Sequence, residues 1–122
     1  MISKPKISII GAGNVGASAA YRALELDLAD VVLLDIVEGL PQGKALDMTQ
    51  MLSVTGISSS VIGTNDYSDT KDSDVVIITS GLARKPGMSR DDLISTNTKI
   101  IKEVTEQVVK FSPNSIIIVV TN

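Results

Sequence analysis

Short runs of apolar residues recur along the chain and alternate with segments whose apolar positions repeat every three or four residues. The runs show little polar alternation, which is typical of strands buried on both faces of a parallel sheet. They predict strands at Ile7–Ile10, Val31–Leu34, Val61–Gly63, Val75–Ile78 and Ile116–Val120.

The segments between these runs predict three helices. Small and apolar residues at helical spacing place the first from about Val15 to Leu28 and the second from about Pro41 to Val54. Ser89 is suited to cap a third helix that ends at about Phe111. The polar stretch 65–69 indicates a loop or a single turn, and 81–89 indicates a loop.

The order of these elements predicts the fold class. Strands that alternate with helices require right-handed crossovers and give a doubly wound α/β fold, with a parallel sheet and helices on both faces. The expected strand order is 3-2-1-4-5, in one domain that spans residues 1–122. Its crevice is expected outside the C-terminal ends of the first and fourth strands.

A glycine motif of the form G-x-G-x-x-G, Gly11-Ala12-Gly13-Asn14-Val15-Gly16, joins the first strand to the first helix. Gly11 permits a sharp exit from the strand, Gly13 lets the backbone approach a pyrophosphate, and Gly16 lets the helix pack on the strand. The N–H groups of the first helical turn and the helix dipole then bind the anion. A turn of this form that binds nothing is the alternative.

Asp35 stands at the end of the second strand, where a carboxylate accepts hydrogen bonds from the adenosine ribose. It also repels a 2′-phosphate, so NAD is favoured over NADP. An ordinary turn residue is the alternative for Asp35. Together with the glycine motif, Asp35 indicates a Rossmann dinucleotide-binding domain.

Composition excludes several classes of function. The chain has 122 residues, a formal charge of −3 and 2% aromatic residues, which argues against a nucleic-acid partner. No apolar run is long enough to cross a bilayer and the N-terminus has no export signal, so we expect a cytoplasmic protein. No cysteine is present and we expect no metal site. Histidine, the usual general base, is also absent.

A second candidate binding segment follows the fourth strand and has the sequence Gly81-Leu82-Ala83-Arg84-Lys85-Pro86-Gly87-Met88-Ser89-Arg90. Its glycines and proline describe a loop that can close as a unit. Arg84 and Arg90 are planar donors suited to carboxylates and carbonyl oxygens. A solvated basic loop is the alternative.

These motifs, together with Val120-Thr121-Asn122, resemble the N-terminal half of the malate dehydrogenases, and most closely the lactate-dehydrogenase-like type of prokaryotes. The resemblance runs the full length of the chain. Its most specific part is the arginine-containing loop, because lactate enzymes usually carry Gln where this chain has Arg84. It implies an NAD-dependent oxidoreductase of the tricarboxylic acid cycle that interconverts malate and oxaloacetate.

The resemblance also implies roles for individual residues. Arg84 would pair with the distal carboxylate of the substrate, Arg90 would polarise the reacting carbonyl, and Asn122 would reach the substrate. Asp35 would bind the adenosine ribose, and Ser80-Gly81 would lie against the cofactor. The remaining residues implied to bind NAD are Gly11, Ala12, Gly13, Asn14, Val15, Gly16, Asn97, Val120, Thr121 and Asn122.

The family's catalytic histidine, its aspartate and one substrate arginine lie beyond the position where this chain ends. We therefore expect a truncated NAD-binding fragment that lacks the C-terminal catalytic domain, has no catalytic residue of its own and is inactive alone. The resemblance implies a homo-oligomeric parent, a dimer or a tetramer, with the helix 41–54 as an interface element. We also expect self-association through Ile116–Val120, or disorder near Asn122. The alternatives are a stand-alone nucleotide-binding module and a lactate dehydrogenase fragment.

Overall fold

The structure is a computed structural model that describes residues 3–122, so the first two residues of the predicted domain lie outside the described residues. One sheet contains the strands β1 (Lys6–Ile10), β2 (Asp30–Leu34), β3 (Val61–Thr64), β4 (Val75–Ile78) and β5 (Ile116–Val119). All neighbouring strands are parallel and their order is β3-β2-β1-β4-β5. The predicted fold class and strand order are confirmed.

Three helices connect the strands: α1 (Asn14–Glu25), α2 (Leu40–Thr55) and α3 (Arg90–Phe111). The polar segment 65–69, predicted as a loop or single turn, overlaps a 3₁₀ turn at Tyr67–Thr70. Within residues 3–122, none of the helices is both long and apolar enough to span a membrane.

The two faces of the sheet are covered by different helices, as a doubly wound fold requires. On one face, α1 and α2 pack against strand residues such as Ile9 and Leu33. On the other, Val104 and Val108 of α3 pack against strand residues such as Ile78. The central strands are buried on both faces, which explains why their sequences are continuous apolar runs.

The end of α1 differs from the prediction, which extended this helix to Leu28. The helix ends at Glu25 because Asp27 adopts a left-handed conformation with φ 51°. The N–H of Asp27 donates to the carbonyl oxygen of Leu24 (2.8 Å), and the N–H of Leu28 donates to that of Ala23 (3.0 Å). These bonds form a helix-terminating Schellman motif, which usually contains glycine. Leu28 keeps the helical spacing although its backbone has left the helix.

The edge strand β5 also differs slightly from the prediction, since it ends at Val119 and not at Val120. The N–H of Val120 still donates to the carbonyl oxygen of Ile78, 2.8 Å away. Although β5 is strongly apolar, Ile116 and Ile118 are 66% and 46% exposed. Of the described strands, β5 therefore leaves a large apolar surface open to solvent.

Candidate functional site

The turn between β1 and α1 presents the N-terminus of a helix at the carboxyl edge of the sheet. The N-cap of α1 is Gly13, which has no side chain to cap the first N–H groups. The first turn of the helix carries no acidic residue. A Cβ at Gly16 would collide with the carbonyl oxygen of Gly11, whereas a Cβ at Gly13 would meet nothing within 4 Å. Gly16 is thus required for packing, and the space beside Gly13 is open to a ligand.

The Asp35 carboxylate lies against the glycine turn. Its Oδ2 accepts from the N–H of Ala12 at 2.7 Å, and its Oδ1 accepts from the N–H of Val37 at 2.9 Å. These two bonds orient the carboxylate at the end of β2. Each oxygen retains capacity to accept a further hydrogen bond.

Lys44, on α2, contacts the same turn and was not singled out by the sequence. Its Nζ donates to the carbonyl oxygen of Ala12 at 2.6 Å. The backbone N–H of Ala12 is bonded to the carboxylate of Asp35, so opposite charges hold this residue from both sides. The only signal in the sequence is that a lysine follows Asp35 near the start of the next helix.

A cavity of about 810 Å³ extends from the glycine turn past Asp35 to α3. Tyr67, also missed by the sequence, lines its far side. Burial raises the pKa of the Tyr67 hydroxyl above its ordinary value, and the negative charges of Asp35 and Glu103 raise it further. The lining includes Gly11, Gly13, Asp35, Tyr67, Thr79, Ser80, Gly81, Leu82 and Ile100.

A second cavity, of about 270 Å³, adjoins the first, because Thr79, Gly81 and Leu82 line both. It brings together residues that are far apart in the sequence. Its lining is completed by Val15, Ala83, Val120, Thr121 and Asn122. The start of α1, the segment after β4 and the end of the chain therefore meet at one edge of the sheet.

Two hydroxyl groups after β4 bond to the end of β1. Thr79 Oγ1 donates to the carbonyl oxygen of Gly11 at 3.1 Å, and Ser80 Oγ donates to that of Ile10 at 3.0 Å. Ser80 and Gly81 line the larger cavity, beside the glycine turn. Thr79 was not predicted, although it occupies the switch point of the sheet.

The segment Gly81–Ser89, here called the arginine loop, is largely exposed. The Nε of Arg84 donates to the carbonyl oxygen of Met88 within the loop, at 3.2 Å. Arg90 is the first residue of α3 and is exposed. The residues that line the two cavities include Gly81 and Leu82 of the loop but neither arginine.

The predicted capping residue Ser89 begins α3 through a reciprocal capping box. The N–H of Asp92 donates to Ser89 Oγ at 3.0 Å, and the N–H of Ser89 donates to Asp92 Oδ2 at 3.2 Å. Asn97, on the same helix, is buried at 2% exposure. Its amide bonds to the backbone of Leu82 and Asn122.

A comparison with known protein families shows to which family this chain belongs. The model of the lactate/malate dehydrogenase NAD-binding domain matches residues 5–122. The chain belongs to this family. Malate dehydrogenase of Methanosarcina barkeri is 61% identical over 117 residues, which cover 96% of this chain and 38% of that protein. The chain thus spans about two fifths of the length of this relative.

Solved structures agree with the family and the fold. The apo malate dehydrogenase of Picrophilus torridus has a TM-score of 0.95 and 46% identity, covering 98% of this chain and 39% of that one. A lactate dehydrogenase of Cryptosporidium parvum, complexed with lactic acid and NAD, has a TM-score of 0.92 and 48% identity. That match covers 100% of this chain and 38% of the enzyme. The NAD cofactor predicted from the sequence is confirmed for the family.

Proposed function

We propose that this chain is the NAD-binding part of a malate dehydrogenase, which interconverts malate and oxaloacetate with NAD and NADH in the tricarboxylic acid cycle. The observation that carries the proposal is the meeting of two cavities beneath the arginine loop. One extends from the glycine turn past Asp35, and the other lies at the base of the loop. In this proposal the dinucleotide would occupy the larger cavity, and its nicotinamide would meet the substrate at the smaller one, beside Val120, Thr121 and Asn122.

The residues of the larger cavity fit NAD. The uncapped N-terminus of α1 suits the pyrophosphate, because its first N–H groups have no intrahelical partner. Asp35, held by two backbone N–H groups, would accept from the ribose hydroxyls. When bound, NAD supplies the nicotinamide that exchanges hydride with the substrate. The other residues proposed to contact it are Gly11, Ala12, Gly13, Asn14, Val15, Gly16, Asn97, Val120, Thr121 and Asn122.

Arg84, Arg90 and Asn122 are proposed to bind the substrate. Oxaloacetate carries two carboxylates, and Arg84 can pair with the distal one through two of its three guanidinium nitrogens. Arg90 would move in with the closing loop and polarise the reacting oxygen, which becomes more negative as hydride arrives, so its charge would stabilise the transition state more than the ground state. A lactate enzyme is disfavoured, because Arg84 would then face a methyl group without a partner.

The chain contains no histidine, so we expect it to bind without turnover. Positioned acid–base groups contribute about 10²–10⁴-fold to such reactions. The matched region is 38% of the Methanosarcina barkeri enzyme, so the activity of a whole malate dehydrogenase is proposed only for a protein that contains this domain. A cytoplasmic location and a homodimeric or homotetrameric parent are part of the proposal.

A stand-alone nucleotide-binding module is the second candidate. It is favoured by one observation, namely that the Arg84 guanidinium bonds to its own loop and does not line either cavity. For this candidate, the arginines would be solvated loop residues. A dicarboxylate would then leave cofactor binding unchanged.

Fluorescence titration with NADH, in the presence and absence of oxaloacetate, distinguishes the malate dehydrogenase proposal from the stand-alone binding module. The malate dehydrogenase proposal predicts that oxaloacetate tightens NADH binding by about tenfold or more, the size of a charged hydrogen-bonded pair. Arg84→Gln should abolish this gain. Lys85→Gln, the neighbouring cation, is the matched control and should retain it. An equal gain in the Arg84 variant would contradict the substrate assignment, and no gain in the unmodified chain would favour the binding module.

A further inference from the structure

Gly81, at the junction between β4 and the arginine loop, is exposed, but the direction in which a Cβ would point is blocked. Gly81 has φ +150°, and a Cβ there would lie 2.7 Å from Thr121 Oγ1 and 3.2 Å from Asn97 Oδ1. Thr121 Oγ1 also donates to the carbonyl oxygen of Ser80 at 3.2 Å. The backbone at Gly81 therefore fits between the end of the chain and α3, with no room for a side chain.

Asn97 makes three hydrogen bonds at this junction. Its Oδ1 accepts from the N–H of Leu82 at 2.8 Å, and its Nδ2 donates to the carbonyl oxygens of Leu82 (3.3 Å) and Asn122 (2.8 Å). Both N–H groups of the side chain and one acceptor position are thereby used. A buried amide with this many partners is costly to remove, because the partner groups lose their bonds.

Both ends of the arginine loop are therefore held by the N-terminal half of α3. Leu82 is bonded to Asn97, and Ser89 is bonded to Asp92 through the capping box. The residues between them, which include Arg84, are exposed except for Met88, which is half-buried. Motion of the loop is thus restricted to its middle.

We propose that Asn97 is a positioning residue that fixes the base of the arginine loop and links it to the backbone of Asn122. It reduces the conformations available to Arg84 before a ligand arrives, which lowers the entropic cost of binding. What the loop binds rests on the proposed function, but the positioning does not. A direct contact of Asn97 with NAD could use only the second acceptor position of Oδ1, unless one of these bonds opens.

Amide hydrogen exchange and native-state trypsin cleavage of the 122-residue chain, without ligand, test this role. In Asn97→Leu, exchange at Leu82 and cleavage after Arg84 should each rise by about fivefold or more, the effect of losing a buried hydrogen bond. Exchange at Ile9, in the central strand, reports global unfolding and should rise by a smaller factor than exchange at Leu82. Thr98→Val is the control, because Thr98 is exposed and bonds only along its own helix. It should match the unmodified chain.

Asn97→Asp keeps the acceptor for Leu82 but removes both donors. This variant replaces Asn97→Leu in the test if Asn97→Leu does not fold. Its cleavage after Arg84 should also be faster than in the unmodified chain. In the titration with oxaloacetate, the dicarboxylate-dependent gain should fall by a larger factor than the affinity for NADH. The proposal would be overturned if the variant that folds showed unchanged cleavage after Arg84 and unchanged exchange at Leu82. It would also be overturned if the variant lost NADH affinity while its dicarboxylate-dependent gain did not change. If the unmodified chain does not bind NADH, the proposed function fails while the exchange and cleavage comparison still decides the role of Asn97.

Discussion

At the scale of single residues, Ala12 illustrates how the glycine turn is held. Its N–H is bonded to the Asp35 carboxylate and its carbonyl oxygen to the Lys44 ammonium. The sequence predicted Asp35 because a carboxylate at the end of a second strand has a known geometric role. It could not predict Lys44, because the contact depends on how α2 packs beside the turn.

We expect Lys44→Met to weaken NADH binding by about three- to tenfold, since it removes a charge-assisted hydrogen bond that orients the turn. The lost positive charge would also disfavour the nearby pyrophosphate. Fluorescence titration of NADH measures the change. Lys99→Met, on the exposed side of α3, is the control and should leave the affinity unchanged. Equal affinities in all three proteins would show that Lys44 does not act on the cofactor site.

At the scale of secondary structure, most of the fold could be predicted because each central strand is a buried apolar run. Helix starts also followed from local signals, as the capping box at Ser89 shows. The end of α1 could not be predicted, because Asp27 adopts a conformation that usually requires glycine. Contacts from distant segments stabilise it there, and the local pattern of apolar residues does not contain them.

Those contacts make Asp27 a source of pH-dependent stability. Its carboxylate accepts from Lys4 Nζ at 2.7 Å and from the N–H of Ser59 at 3.0 Å. The bonds from Lys4 and Ser59 hold the pKa of Asp27 below its ordinary value of 3.8. Since the folded pKa is depressed, this stabilisation is complete above the unfolded pKa and is lost as the pH falls below it.

We therefore expect the free energy of unfolding to decrease as the pH is lowered from about 5 to 3, partly through Asp27. Urea unfolding at several pH values measures the slope. Asp27→Asn should flatten it, whereas Asp47→Asn, an exposed aspartate on α2, should not. Identical slopes for Asp27→Asn and the unmodified chain would contradict the role assigned to the Asp27 contacts.

At the scale of the whole molecule, the candidate site lies along one edge of the sheet, and the apolar strand β5 lies at the side of the sheet. The edge contains the glycine turn, Asp35 and the base of the arginine loop. The sequence predicted this arrangement because the carboxyl ends of parallel strands meet at one edge. It did not predict the bonds between Asn97 and Leu82, which depend on a buried side chain from a separate element.

The exposed strand β5 leads us to predict that the chain associates with itself. Exposed apolar edge strands pair with other chains. Light scattering should show a mass that rises with protein concentration. Ile118→Lys places a charge on this strand and should lower the associated fraction, while Thr98→Val should not. A monomer at every concentration would contradict this prediction.

Separate titrations of the unmodified chain with NADH and with NADPH are the most direct test of the central claim. The claim is that this chain contains an NAD site organised by the glycine turn and Asp35. We predict saturable binding at one site, with NADH bound about tenfold or more tightly than NADPH, because Asp35 would accept hydrogen bonds from the ribose and would repel a 2′-phosphate. Asp35→Asn should remove most of this preference, and Glu38→Gln, an exposed neighbour, should retain it. Absence of saturable NADH binding, or the same preference in the Asp35 variant, would contradict the account.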